Sequence, residues 1–265
     1  MSSLLLLLAV SLAISAVGWY YFIYFFSLGY GYGIAALALT MAIMFGSVIT
    51  LPTAILLLLL FLFGCRLGTF LLRRERKSAA YNKILHAPSL HEKKPVGVVI
   101  TVWLFCALLY VAQVSPVAFR LANHGAQQTV LWAWIGAALT LTGILLETFS
   151  DVQKSAAKKH TPGRFVDTGL YSIVRCPNYL GELVIWTGIL LSGIGACLTW
   201  WQWLIAAIGY LGIVYVMFSG ARRLELRQNE VYGSDPAYQS YVRRTPILIP
   251  FLPIHTLAKY TWLQA

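Results

Sequence analysis

The chain has 265 residues, of which 59% are hydrophobic and only 11% are charged, and its mean hydropathy is +0.72. Ordinary water-soluble domains do not reach these values, so the composition predicts an integral membrane protein without a separate soluble enzyme domain. The formal net charge of +11 is explained by basic loops that face the cytoplasm and anionic lipid, and nucleic acid is not an expected partner.

Seven apolar segments are long enough to be membrane spans, since a spanning helix needs about 20 mostly apolar residues. They run approximately from Leu4 to Phe26, Gly33 to Thr50, Thr53 to Leu72, Val96 to Ala118, Thr129 to Phe149, Leu180 to Leu198 and Trp201 to Ser219. The first continues through Trp19, where a secretory signal would show a small-residue cleavage site, so we interpret it as an uncleaved span. Pro52 alone separates the second and third, which form either a tight hairpin or one broken helix.

The positions of the basic residues test the number of spans, because Lys and Arg collect in cytoplasmic loops. Seven lie in Arg73–Pro95, five in Asp151–Tyr179 and six after Ser219, which together are eighteen of the twenty. Arg120 is expected in a loop on the opposite side, and Arg66 lies within the third span. We therefore predict an all-α bundle of about seven transmembrane helices, a single domain over residues 1–265, with the N-terminus outside and the C-terminus cytoplasmic.

Polar residues gather where the fifth span ends. They are Glu147, Asp151, Lys154, Ser155 and Lys158, and their spacing places the charges on one face of a continuing helix. Such a stripe is more often a solvated helix end than a binding site. A turn-rich loop over residues 161–171 follows, and the next helix begins near Pro177.

Asn178 and Glu182 lie four residues apart and therefore share a face of this next helix. Glu182 enters apolar surroundings beside Trp186, and a carboxylate at that depth is costly unless it is paired or lines a cavity. Its expected partners are Arg175, Arg222 and Arg223. Two interpretations stay open, namely a site for a cofactor and a Glu–Arg clamp that only fixes helix packing.

The motifs of soluble enzymes are missing from the sequence. There is no Walker loop, HExxH or GxSxG, and the glycine-rich stretch Gly29–Gly33 follows no predicted strand. The four cysteines lie far apart without a CxxC pair, so neither a zinc site nor a disulfide framework is predicted. A nucleotide would therefore be bound by a site built from helix ends.

Four elements in the same order carry a resemblance to a known family. They are the block Glu147–Lys154, Gly169-Leu170-Tyr171, the stretch Arg175–Glu182, and Tyr241–Pro253 with its Ile-Pro-Phe signature. Over about residues 130–253 the chain resembles the steroid 5-alpha-reductase C-terminal superfamily, in its bacterial branch. The resemblance implies a seven-helix reductase of the bacterial inner membrane that uses NADPH to reduce a carbon–carbon double bond of a steroid, isoprenoid or other lipid.

The resemblance also implies roles for individual residues. Asp151 and Asn178 would bind the nucleotide, Glu182 would be a buried carboxylate of the cofactor site, and Arg222 or Arg223 would contact a phosphate. Three further cations, Lys154, Lys158 and Arg164, are candidate phosphate contacts because of their charge. Three residues of the matching stretches, Tyr171, Arg175 and Tyr179, complete the predicted cofactor site.

No catalytic residue is predicted. Steroid reductases polarise the substrate ketone with a Gln-Glu pair and a Tyr in their early helices. In this sequence no acidic residue precedes Glu75, and the Tyr position falls at or near Phe63. The ketone-polarising residues of the family are therefore not visible.

Two other functions are kept as alternatives. Membrane methyltransferases of the isoprenylcysteine and phospholipid type resemble the same Arg-x-Pro-Asn-Tyr-x-Gly-Glu stretch and bind S-adenosylmethionine. A lipid-binding membrane protein without catalysis is the third class. The block Glu147–Lys154 favours the reductase, because a dinucleotide with a 2′-phosphate needs additional cationic groups. The expected partners are a lipophilic small molecule from the bilayer and membrane lipids, and no obligate protein partner is predicted.

Overall fold

The computed structural model describes residues 2–77, 94–123 and 130–264, and the regular secondary structure within these residues consists of helices. Eight α-helices are present in this part of the chain: α1 Ser2–Ser15, α2 Leu28–Met44, α3 Leu51–Lys77, α4 Val96–Ala122, α5 Val130–His160, α6 Pro177–Ser192, α7 Trp200–Tyr232 and α8 Pro236–Arg244. The predicted all-α fold is therefore confirmed for the described residues. Most of the basic loop Arg73–Pro95 lies outside them.

Five helical segments in the described residues are long and apolar enough to cross a membrane, judged by length and composition. They are Phe22–Met44, Leu51–Arg74, Val96–Ala122, Val130–His160 and Trp200–Tyr232. These segments support an integral membrane protein, while the count of seven spans stays a prediction. α6 does not reach the same length, because its 16 residues extend only about 24 Å, against about 30 Å for the hydrocarbon core of a bilayer.

The first and sixth predicted spans differ from the observed helices. α1 ends at Ser15 and is followed by two short 3₁₀ helices, Ala16–Trp19 and Phe22–Phe25, instead of continuing to Phe26. The ring of Phe25 occupies the space that a Cβ on Gly18 would need. The close packing of these two short 3₁₀ helices therefore requires a glycine at position 18. α6 ends before Gly195, whose φ of +70° is incompatible with a continuing helix. Apolar composition predicted neither end, because buried turns are as apolar as helices.

α2 and α3 form a hairpin, which decides between the two interpretations around Pro52. They are separate helices, joined by a short 3₁₀ segment, Gly46–Val48. Their backbones touch because the contact positions are glycines: a Cβ on Gly31 would lie 2.7 Å from the amide nitrogen of Gly68, and one on Gly64 would lie 2.4 Å from the carbonyl oxygen of Gly31. The two helices are antiparallel, because the connection between them is short.

The chain divides into two compact units. The first comprises Met1–Ala137 and Ile189–Tyr210, and the second comprises Ala138–Gly188 and Leu211–Ala265. Three helices, α5, α6 and α7, contribute residues to both. The prediction of a single domain stays a prediction.

Arg120 is a structural residue of the first unit. It was predicted in a loop, but it lies in the last turn of α4 and is fully buried. Its guanidinium donates a hydrogen bond of 2.7 Å to the carbonyl oxygen of Ser192, and Asn123 donates one of 2.9 Å to that of Ala196. These two side chains satisfy carbonyl groups at the end of α6 and in the turn after it, which lack partners within the helix. The loop prediction for Arg120 was wrong because the helix continues beyond its apolar stretch.

The second unit is held together by close contacts among α5, α6 and α7. A Cβ on Gly143 of α5 would lie 2.4 Å from the carbonyl oxygen of Gly181 of α6, so the two backbones are in direct contact. α6 meets α7 through Tyr179, whose ring lies over Gly220 at 3.3 Å from the position of a Cβ. The small residues at both crossings fix the distances between the helices that carry the predicted site.

Candidate functional site

All eleven predicted cofactor residues lie in the second unit. Asp151, Lys154 and Lys158 belong to α5, Arg164 to the loop after it, Tyr171 to a 3₁₀ helix Gly169–Ser172, Arg175 to the turn before α6, Asn178, Tyr179 and Glu182 to α6, and Arg222 and Arg223 to α7. Residues up to 72 positions apart in sequence are thus gathered within one compact unit. Their individual contacts differ.

Lys158 and Arg164 are engaged in closing the loop that follows α5. The ammonium of Lys158 donates hydrogen bonds to the carbonyl oxygens of Pro162 and Arg164 and to the hydroxyl of Tyr232, the last at 3.0 Å. The guanidinium of Arg164 pairs with Asp167 at 3.0 Å on the surface. A phosphate contact by either side chain would have to replace these interactions.

An aromatic cluster anchors the same loop. Phe165 is buried and stacks on Tyr241 of α8, with ring centroids 5.5 Å apart. It also meets Tyr238 edge-on at 5.3 Å, and Tyr238 donates a hydrogen bond of 2.9 Å to Asn229. The cluster ties the loop to α8 and to the end of α7, because burial of aromatic rings stabilises contacts between distant segments.

Tyr171 connects α5 to α8. Its hydroxyl donates to the carbonyl oxygen of Ser150 at 3.3 Å, and its own carbonyl oxygen accepts a hydrogen bond of 2.6 Å from the hydroxyl of Tyr241. Burial raises the pKa of the Tyr171 phenol, and the nearby charge of Asp151 raises it further. Tyr171 is therefore a neutral hydrogen-bond donor, and Asp151 lies within electrostatic reach of it.

The turn that carries Tyr171 depends on Gln153, a residue of the block Glu147–Lys154. The side-chain oxygen of Gln153 accepts a hydrogen bond of 2.9 Å from the amide of Leu170. Gly169 has a φ of +62°, and a Cβ there would lie 2.6 Å from the same oxygen. Part of the resemblance in this block thus has a structural explanation, namely the support of a tight turn.

Arg175 belongs to a buried clamp with Glu225. Its guanidinium lies 3.0 Å from the Oε1 atom of Glu225, and both side chains are at least 98% buried. Arg175 also donates to the carbonyl oxygen of His255, while the Oε2 atom of Glu225 accepts a hydrogen bond of 2.7 Å from the amide of Leu257. Arg175 was predicted to bind the cofactor or to pair with Glu182, but this ion pair gives it a role in packing.

Asn178, Tyr179 and Glu182 lie in the first turns of α6, and Glu182 is 6% exposed. The Oδ1 atom of Asn178 is buried and has no hydrogen-bond partner among the described residues. α6 contacts α5 at Gly181 and contacts α7 through Tyr179. On a helical wheel, Asn178 and Glu182 lie between these two sides of α6. Their polar groups are thus placed at the junction of the three helices.

Arg222 and Arg223 line a cavity of about 530 Å³ on α7. The other lining residues are Ser219, Leu226, Arg227, Glu230, Leu263 and Gln264. Three guanidinium groups face a single carboxylate in this lining, so the cavity has a net positive charge and suits an anion. We call it the arginine cavity. Its volume lies within the range of about 300–1,000 Å³ that is common for ligand sites.

Three residues of this unit were not assigned from the sequence. They are Ser219 and Arg227, which line the arginine cavity, and Glu225, which pairs with Arg175. Arg227 follows Arg223 by one helical turn, so a helical wheel would have placed both on neighbouring positions. No sequence pattern indicates the partner of Glu225, because fifty residues separate it from Arg175.

A second cavity, of about 740 Å³, lies within the first unit. It is lined by Leu4, Leu5, Leu8, Phe105, Leu108, Leu109, Val111, Ala112, Trp201, Ile205 and Ile208. Because this lining is hydrocarbon and aromatic, the cavity suits a lipophilic ligand. Within the described residues no three His, Cys, Asp or Glu side chains come together as metal ligands, and the four cysteines are free thiols.

Comparison with known proteins gives one match. The profile of the family described as "Protein of unknown function (DUF1295)" matches residues 25–245. Comparison with curated proteins and with solved structures finds no match. The matched region includes all of α2 to α8 and the eleven predicted residues. Because the match covers most of the sequence, the chain belongs to the DUF1295 family.

Proposed function

We propose that the protein is a membrane-embedded reductase that uses NADPH to transfer a hydride to a carbon–carbon double bond of a lipophilic compound, such as a steroid, an isoprenoid or another lipid. The observation that carries the proposal is the arginine cavity, which lies in the same compact unit as all eleven predicted cofactor residues. A cavity with three guanidinium groups is the kind of site that a dinucleotide phosphate requires.

The residues present fit a phosphorylated dinucleotide. Arg222, Arg223 and Arg227 would hold the phosphates, and the hydroxyl of Ser219, which has no partner among the described residues, would complete their hydrogen bonding. Asn178 offers an unpartnered amide oxygen to the neutral parts of the cofactor. Lys158, Arg164 and Arg175 would act through packing, because their charged groups hold the loop after α5 and the clamp with Glu225.

NADPH, when bound, would supply the hydride. The contribution of this chain would be to neutralise the phosphates with arginines, to orient the cofactor through polar groups of α6, and to keep water away with the buried core around Tyr171. The lipophilic compound would reach the protein from the bilayer, and the hydrocarbon-lined cavity of the first unit provides a surface for it.

The proposed membrane arrangement has seven spans in a bacterial inner membrane, with the N-terminus outside and the C-terminus in the cytoplasm. The distribution of Lys and Arg supports it, since eighteen of twenty fall in three segments that would all be cytoplasmic. α1 and α6 would be the two spans that do not reach the usual length. The cofactor site would then face the cytoplasm, where NADPH is found.

A second candidate function is an S-adenosylmethionine-dependent methyltransferase of the isoprenylcysteine or phospholipid type. The observation that favours it is the burial of Glu147 and Glu182, which are 4% and 6% exposed in the same unit. Buried carboxylates suit a cationic methyl donor better than an anionic dinucleotide. A lipid-binding protein without catalysis would use neither cofactor.

The test is a thermal-shift or calorimetric titration of the detergent-purified protein with NADPH, NADH and S-adenosylmethionine. We expect NADPH to bind at least about tenfold more tightly than NADH, because one charge-assisted contact to the 2′-phosphate contributes about 1.5–3 kcal/mol. Arg223→Gln should reduce this preference, while Arg243→Gln, which removes an exposed arginine of α8, should not.

Each other outcome would reject the reductase. Stabilisation by S-adenosylmethionine alone would establish the methyl donor as the ligand and leave the methyltransferase as the function. Stabilisation by none of the three compounds would favour the non-catalytic lipid-binding class.

A further inference from the structure

Ser219 lines the arginine cavity, and its buried hydroxyl has no hydrogen-bond partner among the described residues. The residue is 1% exposed and sits in the middle of α7. Other buried hydroxyls of this unit have partners: Ser150 donates to the carbonyl oxygen of Glu147 at 2.9 Å, and Thr140 to that of Ile185 at 3.5 Å. A buried hydroxyl without a partner is destabilising, so an acceptor from a ligand would stabilise this position.

Charged residues of α7 line the same cavity as Ser219. Arg222, Arg223 and Arg227 follow Ser219 at spacings of three, four and eight residues, which place them on the same side of the helix. A guanidinium presents several N–H donors in a plane and matches the oxygens of a phosphate. Glu230 lies at the far end of the lining, one to two turns beyond the arginines.

Arg222 is held by the chain itself. Arg222 donates to the carbonyl oxygen of Ala258 at 3.4 Å and to that of Leu263 at 3.3 Å. Leu263 and Gln264 also line the cavity, so the segment Ala258–Gln264 forms one of its walls. We call it the strap. Both hydrogen bonds are long and end on neutral oxygens, whereas a phosphate oxygen carries charge and is the stronger acceptor.

The strap has attachments of unequal strength. Just before it, Leu257 is fixed by Glu225 at 2.7 Å inside the buried clamp. Beyond that point it is held by the buried side chain of Leu263, by Arg222 and by Tyr215. The Tyr215 hydroxyl donates to the carbonyl oxygen of Trp262 at 3.0 Å and accepts from the amide of Gln264 at 3.4 Å, and both bonds are exposed. The outer hydrogen bonds of the strap thus lie at the surface, whereas the clamp before it is buried.

We propose that Ser219, Arg222 and Arg227 form a phosphate-binding site, and that the strap competes with the phosphate for Arg222. Binding of a phosphate group replaces the carbonyl oxygens of Ala258 and Leu263 and releases the strap from α7. The inference rests on the proposed function for the carrier of the phosphate, which is NADPH, but the site itself is measured with phosphate compounds alone.

The first experiment measures binding of inorganic pyrophosphate and of NADPH by calorimetry with the purified full-length protein. Arg227→Gln should weaken both about tenfold or more, and Ser219→Ala about threefold or more, as expected for one charged and one neutral hydrogen bond. Ser192→Ala is the matched control, because it also removes a buried hydroxyl but from the first unit, and it should leave both affinities unchanged. Unchanged affinities in Ser219→Ala and Arg227→Gln would overturn the site.

The second experiment tests the competition. Tyr215→Phe removes both hydrogen bonds that hold the outer part of the strap and should increase pyrophosphate affinity about threefold. Tyr260→Phe changes a tyrosine of the strap whose hydroxyl takes no part in these bonds and should have no effect. Trypsin cleavage after Lys259, measured by mass spectrometry, should become faster when pyrophosphate is added. A cleavage rate and an affinity that do not respond would overturn the competition.

A third experiment tests whether the phosphate group belongs to a lipid headgroup or to NADPH. In nanodiscs, phosphatidylglycerol that competes with pyrophosphate would assign the site to a lipid headgroup, whereas competition by NADPH but not by the lipid assigns it to the cofactor. Binding of pyrophosphate without binding of NADPH would reject the reductase and keep the phosphate site. Binding of NADPH that is insensitive to Ser219→Ala and Arg227→Gln would reject this site and keep the reductase.

Discussion

Arg175 and Glu225 form a buried ion pair across fifty residues of sequence, with 3.0 Å between the Nη2 and Oε1 atoms. The pair joins the turn before α6 to α7, and through His255 and Leu257 it also holds the segment that precedes the strap. The backbone adds two further bonds, because the amides of Arg175 and Cys176 donate to the carbonyl oxygens of Pro246 and Ile247 at 2.9 Å. One buried charged contact and two backbone hydrogen bonds thus hold these segments together.

Loss of one partner of this pair should destabilise the protein strongly. We expect Glu225→Gln to lower the free energy of unfolding by about 3–5 kcal/mol, because it leaves the charge of Arg175 buried and uncompensated. Thermal unfolding in detergent measures the effect. The double variant Arg175→Met with Glu225→Met should be closer to the unchanged protein than Glu225→Gln. An Arg175→Met protein with normal stability but without NADPH binding would show that Arg175 is a cofactor ligand.

The contact between α5 and α6 should not tolerate a methyl group. In a helix, Gly→Ala normally stabilises by about 1 kcal/mol. At Gly181 the added Cβ would lie 2.7 Å from the carbonyl oxygen of Gly143, so we expect Gly181→Ala to destabilise by about 1–3 kcal/mol. Gly97→Ala in α4 is the control, since a Cβ there meets no atom within 4 Å. Equal stabilities of the two variants in thermal unfolding would contradict the close approach.

Asn178 should contribute to ligand binding without contributing to stability. Its Oδ1 atom has no partner among the described residues, so Asn178→Ala should change the free energy of unfolding of the ligand-free protein by less than about 1 kcal/mol. The same variant, and Glu182→Gln, should weaken nucleotide binding in a calorimetric titration. Equal destabilisation with and without NADPH would support the alternative that these residues only fix helix packing.

Cys176 should stay a protonated, unreactive thiol. Burial raises its pKa to about 12, against about 8.5 for a free thiol. The folded state therefore keeps its proton at pH values where the unfolded chain loses it. The resulting stabilisation is complete below about pH 8.5 and decreases as the pH rises toward 12.

Two measurements check this. Alkylation of Cys176 by a maleimide at pH 8 should be fast only in the unfolded protein. The loss of stability between pH 8 and pH 10 should be smaller in Cys176→Ala than in the unchanged protein. An equal loss in both would show that the thiol titrates normally in the folded state.

The proposed topology predicts which engineered cysteines react from each side of the membrane. In a cysteine-free background, Lys94→Cys, Lys159→Cys and Gln239→Cys should react only with reagents that reach the cytoplasm, because basic segments stay on that side. Thr199→Cys should react with an impermeant reagent added outside. If Lys94→Cys and Lys159→Cys react from opposite sides, the seven-span arrangement is wrong.

The sequence alone determined the class of the protein and the approximate positions of most helices. Long apolar runs predict helices whatever their neighbours are, since an unpaired backbone is too costly in a bilayer. Spacing along one helix placed Asn178 beside Glu182, and the order of four elements gathered the eleven candidate residues into one half of the chain. Both are properties of spacing and order along the chain, which can be read directly from a sequence.

Only the tertiary structure decided which of these residues have a partner within the protein. It paired Arg175 with Glu225 instead of Glu182, used Lys158 to close a loop, and left the hydroxyl of Ser219 unpartnered in the arginine cavity. It also laid the strap on Arg222. Contacts between residues forty or fifty positions apart depend on how the helices pack, and glycines such as Gly143 and Gly181 set that packing through the absence of a side chain. Neither hydropathy nor periodicity contains this information, because both are properties of a single segment.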